Sequence, residues 1–208
     1  MNKLITIILT TLTICALAQE QDAKEILDKL SATTKSYKNI TIQFSFTLEN
    51  KNQNIKEIQE GLLVLEDEKF QLTINNQKII NNGETQWIYL TDMNEVQIME
   101  NDPEDNMITP KRLFTIYEEE YKYKYVGSKL EKGKHLEMID LFPKESSEFM
   151  KINIISDAKK NQLEQITLYD KNGGTYTYLV NSFQTNTAID PFIFNTNEFP
   201  EIEIIDLR

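Results

Sequence analysis

The sequence has one cysteine, one histidine and one tryptophan in 208 residues, and no apolar run long enough to form a membrane helix. Each scarcity excludes a class of chemistry. The single cysteine, Cys15, falls in the first twenty residues, so the rest of the chain has no thiol nucleophile, no disulfide framework and no thiolate metal ligand. His135 alone argues against a histidine-based triad, and no zinc spacing exists because its ligands are absent. His135 stands where a turn enters a strand and reads as an exposed turn residue. The six methionines are scattered, as fits core filling rather than a copper site. No glycine-rich phosphate cradle occurs. Positive charge is also short: the formal net charge is −11, which sets nucleic-acid binding aside and opposes anionic lipid surfaces.

Carboxylates are plentiful, so composition alone leaves a two-carboxylate glycosidase open. Most acids, such as Glu49, Asp67 and Glu203, fall in turns or on the polar side of alternating strands. The expectation is therefore a protein that is not an enzyme and carries no cofactor or metal.

The chain opens "MNKLITIILTTLTICALAQ": Lys3, roughly a dozen mainly apolar residues, then Ala16-Leu17-Ala18, a small-x-small cleavage signal. A membrane span needs about 20 apolar residues, and this stretch is shorter and carries threonines. Cys15 raises a lipoprotein reading, but Ile14 precedes it where that signal wants a small residue. The sequence thus predicts a signal peptide over residues 1–18, cleavage near Ala18 and one exported domain over 19–208. Its lack of disulfides points to a periplasm.

Ala23, Ile26, Leu27 and Leu30 fall at i, i+3, i+4 and i+7, one apolar stripe on a first helix. "ITIQFSFTLE" (residues 40–49) then alternates strictly, with Ile40, Ile42, Phe44, Phe46 and Leu48 on one strand face. "GLLVLEDEKFQLTI" reads as two strands around a turn at 66–69, with Leu63 and Leu65 sharing one face and Phe70, Leu72 and Ile74 another. "KIINNGETQWIYL" reads as a hairpin turning at Asn82-Gly83, with Trp87 and Tyr89 opposite Ile88 and Leu90. After an acidic loop, "TPKRLFTIY" predicts a second helix with Leu113, Phe114 and Tyr117 on one face. Strands resume to the end, "DKNGG" marks a further hairpin, and the tail "DPFIFNTNEFPEIEIIDLR" gives one or two closing strands.

About eleven antiparallel strands and two helices result. A sheet of that size curls, and two helices cannot cover both its faces. The economical architecture is mainly β: one curled antiparallel sheet with an apolar concave face and helices as plug or lid. Side chains lining a wide half-open barrel cannot all reach one another, so a lid or a ligand must complete their burial.

The order of these elements resembles the bacterial LolA family of outer-membrane lipoprotein carriers across nearly the whole mature chain. The resemblance rests on the leading helix, "IQFSF", the Gly61 strand leading to "KFQL", "IINNGETQWIYL", "NEVQI" and "TPKRLFTIY". "IDLFP" and the ending "FPEIEIIDLR" look like Bacteroidetes-type members. It implies an unclosed barrel whose hydrophobic cavity holds acyl chains. The lining would include Ile42, Phe44, Phe46, Leu63, Leu65, Phe70, Leu72, Trp87 and Tyr89, with Leu113, Phe114 and Tyr117 in the lid. It further implies a monomer that takes triacylated lipoproteins from an inner-membrane ABC transporter of the Lol type to an outer-membrane acceptor. An envelope sensor of the same fold, or a carrier of another lipid-linked cargo, is the alternative. Proteobacterial members hold the lid with a basic residue after the Gly61 strand. Here that stretch is "VLEDEKF", with Lys69 the only basic residue nearby.

Overall fold

A computed structural model describes residues 22–101 and 120–208. The expected signal peptide and the expected second helix, with Leu113, Phe114 and Tyr117, lie outside the described residues. The first helix, α1, spans 22–36 and carries its stripe as the spacing predicts: Ala23, Leu27 and Leu30 are buried, and Ile26 is half-buried. Its exposed side carries i,i+4 ion pairs, Lys24 to Asp28 and Glu25 to Lys29, both at 2.6 Å. Such pairs each contribute about 0.3–0.5 kcal/mol, so burial of the apolar stripe is the larger stabilising contribution.

The strands are β1 (Ile40–Asn50), β2 (Ile55–Glu66), β3 (Lys69–Ile74), β4 (Gln77–Asn81), β5 (Thr85–Leu90) and β6 (Glu95–Glu100). They continue with β7 (Tyr121–Glu131), β8 (Lys134–Pro143), β9 (Phe149–Asp157), β10 (Gln162–Asp170), β11 (Gly174–Thr185) and β12 (Glu203–Asp206). Hydrogen bonding links them in the linear order β12-β6-β5-β4-β3-β2-β1-β11-β10-β9-β8-β7, so the protein is mainly β with one large unclosed sheet. The twelve strands among the described residues agree with the expected number of about eleven. One expectation needs correction, because the sheet is not purely antiparallel: β12 runs parallel to β6. A parallel partner cannot follow by a tight turn; the chain passes through β7–β11 first, and residues 186–202 then form the crossover from β11 to the β6 edge. Most of the tail expected to form strands is that crossover; it contains a 3-10 turn at Thr196–Glu198.

The chain packs as two compact units. In the first, residues 22–34 accompany β7–β10. Ile139, Leu141, Ile152, Ile154, Ile166 and Leu168, all almost fully buried, make its interior. The "DKNGG" turn forms as expected: Asp170 Oδ1 accepts from the amides of Asn172 (2.6 Å) and Gly174 (2.8 Å). In the second, residues 35–101 and 176–208 contain β1–β6, β12 and most of β11. Its hairpins turn on Asp67, Asn75 and Asn94, each at φ near +50°, the left-handed region that Asn and Asp tolerate. In the β4–β5 turn, which has four residues between the ladder pair Asn81 and Gln86, Asn82 Oδ1 accepts from the amides of Glu84 (2.9 Å) and Thr85 (2.8 Å), with Gly83 at φ 95°.

Candidate functional site: an apolar sheet face

Residues directly opposite in an antiparallel pair point to the same side. From β1 to β6 the register runs without a bulge, so faces can be followed across the second unit. One row reads Ile42, Leu63, Leu72, Ile79, Ile88 and then Gln97. Five successive strands thus place an aliphatic side chain at the same level, and all but Ile42 are only half-buried. On one side of it lies the row Ile40, Leu65, Phe70, Asn81, Gln86 and Met99, nearly all buried. On the other lies Phe44, Gly61, Ile74, Gln77, Leu90 and Glu95. The middle row is a continuous apolar band with accessible surface, bounded at β6 by polar Gln97 and Glu95.

Phe44 faces Gly61 across the β1–β2 ladder, and a Cβ at Gly61 would collide with the Phe44 ring. The glycine therefore lets the ring lie flat across β2. Phe44 is tilted against Tyr178 of β11 at 5.8 Å between ring centroids. Phe46 meets Tyr178 at 4.9 Å and Tyr176 at 6.5 Å. These four rings extend the apolar band onto β11. Partial burial, with a smaller contribution from Tyr176, pushes the Tyr178 hydroxyl above its ordinary value. It stays neutral at physiological pH, which suits an apolar surface.

Ile42, Phe44, Phe46, Leu63, Leu65, Phe70 and Leu72 are brought together on this face. Trp87 and Tyr89 are not. Both point to the opposite side, where Tyr89 joins Ile80, Val96 and Ile98 in a core closed by Phe192 and Phe194 of the tail; Val64, Trp87, Ile189, Phe199 and Ile202 pack around it. Tyr89 touches Phe194 (5.3 Å) and Phe199 (4.7 Å), and those two rings stack 4.8 Å apart. The β5 residues on the apolar face are Ile88 and Leu90. Ile74, Ile79, Ile88 and Leu90 therefore belong to the face, along with Tyr176 and Tyr178, none of which the sequence assigns to a site. Strict alternation counted through turns of even length would have found the first four.

A cavity of about 710 Å³ also opens in this unit, but its character is different. Lys38, Lys69, Glu66, Glu84 and Asp190 line it with charge of both signs, so it is no match for a hydrocarbon chain. Lys69, the first basic residue after the Gly61 strand, is exposed there. One wall is held by Asn39, which is buried, donates to the Thr187 carbonyl (2.9 Å) and accepts from the Thr187 amide (3.0 Å). No metal-competent group of three or more His, Cys, Asp or Glu occurs among the described residues. His135 is exposed at the start of β8.

A family model described as "Outer membrane lipoprotein carrier protein LolA" matches residues 35–197, a span that contains every row of the apolar face. The chain belongs to the LolA family. No curated protein matches this LolA family member. Among solved structures it is similar to an uncharacterized conserved protein from Thermus thermophilus, at 10% identity and a TM-score of 0.54, covering 89% of this chain and 99% of that one. LprF from Mycobacterium bovis matches at 11% identity and a TM-score of 0.52, over 82% and 97% of the two chains. A LolA superfamily protein from Nitrosomonas europaea matches at 8% identity and a TM-score of 0.43, over 84% and 98%. At such identities the likeness is one of fold.

Proposed function

We propose that this LolA family member is a periplasmic carrier, not an enzyme, that binds the acyl chains of lipoproteins on the apolar face of β1–β5 and β11. On this reading residues 1–18 are removed on export, residues 19–208 form the carrier domain, and Leu113, Phe114 and Tyr117 cover the face as a lid. The carrier takes triacylated lipoproteins from an inner-membrane ABC transporter of the Lol type and delivers them to an outer-membrane acceptor. The observation that carries it is the middle row, in which Leu63, Leu72, Ile79 and Ile88 sit side by side and half-buried. Core side chains are ordinarily fully covered, and a band of partly covered aliphatics of this length marks a surface that takes an apolar partner. Burying one methylene contributes about 0.8 kcal/mol, so a 16-carbon chain offers roughly 12 kcal/mol before losses. One or two chains suffice for useful affinity, and the energy needed to displace a covering segment keeps release possible.

Native mass spectrometry of the mature protein with a triacylated lipopeptide tests the reading, with the unacylated peptide as control. A one-to-one complex with the acylated form alone is expected. Absence of any complex from folded protein would overturn it. The single tryptophan adds a check on location. Trp87 is on the tail side of the sheet, so a bound chain carrying bromine atoms should leave its emission essentially unchanged. Strong quenching would place the acyl chains against the tail instead.

A further inference from the structure

Charge is distributed unevenly along this acidic chain. Residues 120–175 contain ten lysines against nine carboxylates, a net charge of +1 where the whole chain carries −11. In the first unit five of these ten lysines lie at one end. The β7–β8 hairpin turns on Lys132 (φ 49°) and Gly133 (φ 77°), a tight two-residue turn that Glu131 and Lys134 close as opposite partners. The β9–β10 turn, with Lys159 and Lys160, lies beside it, since the Ala158 amide donates to the His135 carbonyl at 2.8 Å. Five lysines therefore share the two tips: Lys129, Lys132, Lys134, Lys159 and Lys160.

The carboxylates at these tips are already engaged. Glu131 pairs with Lys129 at 2.6 Å, and Glu164 takes Lys134 through both oxygens at 2.6 and 2.7 Å. Asp157 is buried and accepts from the amides of Lys159 (2.8 Å) and Lys160 (3.1 Å). Lys132, Lys159 and Lys160 are left exposed and form no close ion pair among the described residues, although the Lys132 charge also acts on Glu131. Beside them Leu130 is 70% exposed, opposite His135 in the ladder, and Val126 in the β7 bulge is 51% exposed. An exposed leucine by itself needs no explanation. A leucine on a tight hairpin tip, rimmed by unpaired lysines in a strongly acidic protein, is a different arrangement.

We propose that the β7–β8 and β9–β10 tips dock this protein on an anionic lipid surface, with Lys132, Lys159 and Lys160 against the headgroups and Leu130 at the acyl boundary. The net charge opposes approach of the molecule to such a surface, so the local basic patch favours contact through the tips. Each lysine near an anionic leaflet strengthens binding roughly fivefold. The tip residues are not among those of the apolar sheet face, and the proposal does not depend on acyl-chain binding.

Co-sedimentation of the mature protein with phosphatidylglycerol–phosphatidylcholine vesicles tests it, with phosphatidylcholine vesicles as control. The protein should pellet with the anionic vesicles alone and be released by about 0.5 M salt. The variant Lys132→Glu/Lys159→Glu/Lys160→Glu should bind at least about thirtyfold more weakly, and Leu130→Ser should bind more weakly while still responding to salt. All four positions are exposed, and circular dichroism confirms that the variants fold. Failure of the unmodified protein to pellet with anionic vesicles overturns the proposal and redirects the patch to an acidic protein. Equal binding by the triple variant also overturns it. So does loss of vesicle binding in Leu72→Asp, which would assign the lipid contact to the sheet face.

Discussion

Phe194→Ala should cost the protein about 3–5 kcal/mol, the range for deleting a well-packed phenylalanine. Phe194 is 6% exposed, stacks on Phe199 and meets Tyr89, so its removal opens a cavity between the tail and the sheet. A domain of this size has a total stability of about 5–15 kcal/mol, so a large fraction would be lost. Urea unfolding should show a midpoint lowered by roughly 1–3 M at an unchanged slope. Trp87 packs at the margin of the same cluster, and its emission should shift to the red before the sheet itself unfolds. A loss below about 1 kcal/mol with unchanged Trp87 emission would mean that the tail lies loosely on the sheet.

The second large effect concerns binding. Leu72 stands in the middle of the half-buried row, between Leu63 and Ile79. Leu72→Asp places a carboxylate where a hydrocarbon chain would lie. A charge held in hydrocarbon costs about 3 kcal/mol, so affinity for an acylated peptide should fall roughly 100-fold. Thr73 is the neighbouring residue, equally half-buried, but points to the other side of β3. Thr73→Asp should therefore leave the affinity within a few-fold of the original. If both substitutions weaken binding equally, the loss reflects damage to the sheet, and the acyl chains do not lie on this face.

The contrast between adjacent residues also explains what was legible from the sequence. β1 could be assigned to a face at once, because its alternation is strict and only one of its sides is apolar. β4 and β5 could not. Ile79 and Ile80 are consecutive, as are Trp87, Ile88, Tyr89 and Leu90, so both sides of these strands are apolar and periodicity cannot choose between them. The choice depends on register, which the turns set; reading β5 through the wrong parity exchanges Trp87 and Tyr89 for Ile88 and Leu90. The large aromatic pair looked like ligand-site material, yet it belongs to a core whose other half is contributed by a tail more than ninety residues further along the chain. The tail supplies one closing strand, β12, within the one or two expected, while Phe192, Phe194, Phe199 and Ile202 sit on the irregular segment before it and lay their side chains onto the sheet. The basic hairpin tips were hidden by the sum: a net charge of −11 averages away a local excess that appears only when two turns are brought side by side.

The parallel pairing of β12 with β6 bears on the order in which the molecule can be assembled. β1 to β6 are consecutive hairpins, and each can zip onto its predecessor as soon as it is made. The β6 edge and the apolar surface of Ile80, Tyr89, Val96 and Ile98 cannot be covered until residues roughly a hundred positions downstream arrive. A polypeptide threaded through a pore from its N-terminus would hold that edge bare for the whole interval, open to pairing with a neighbouring chain. The half-made protein is thus the aggregation-prone species, and a holdase acting during synthesis or export has a defined stretch to protect.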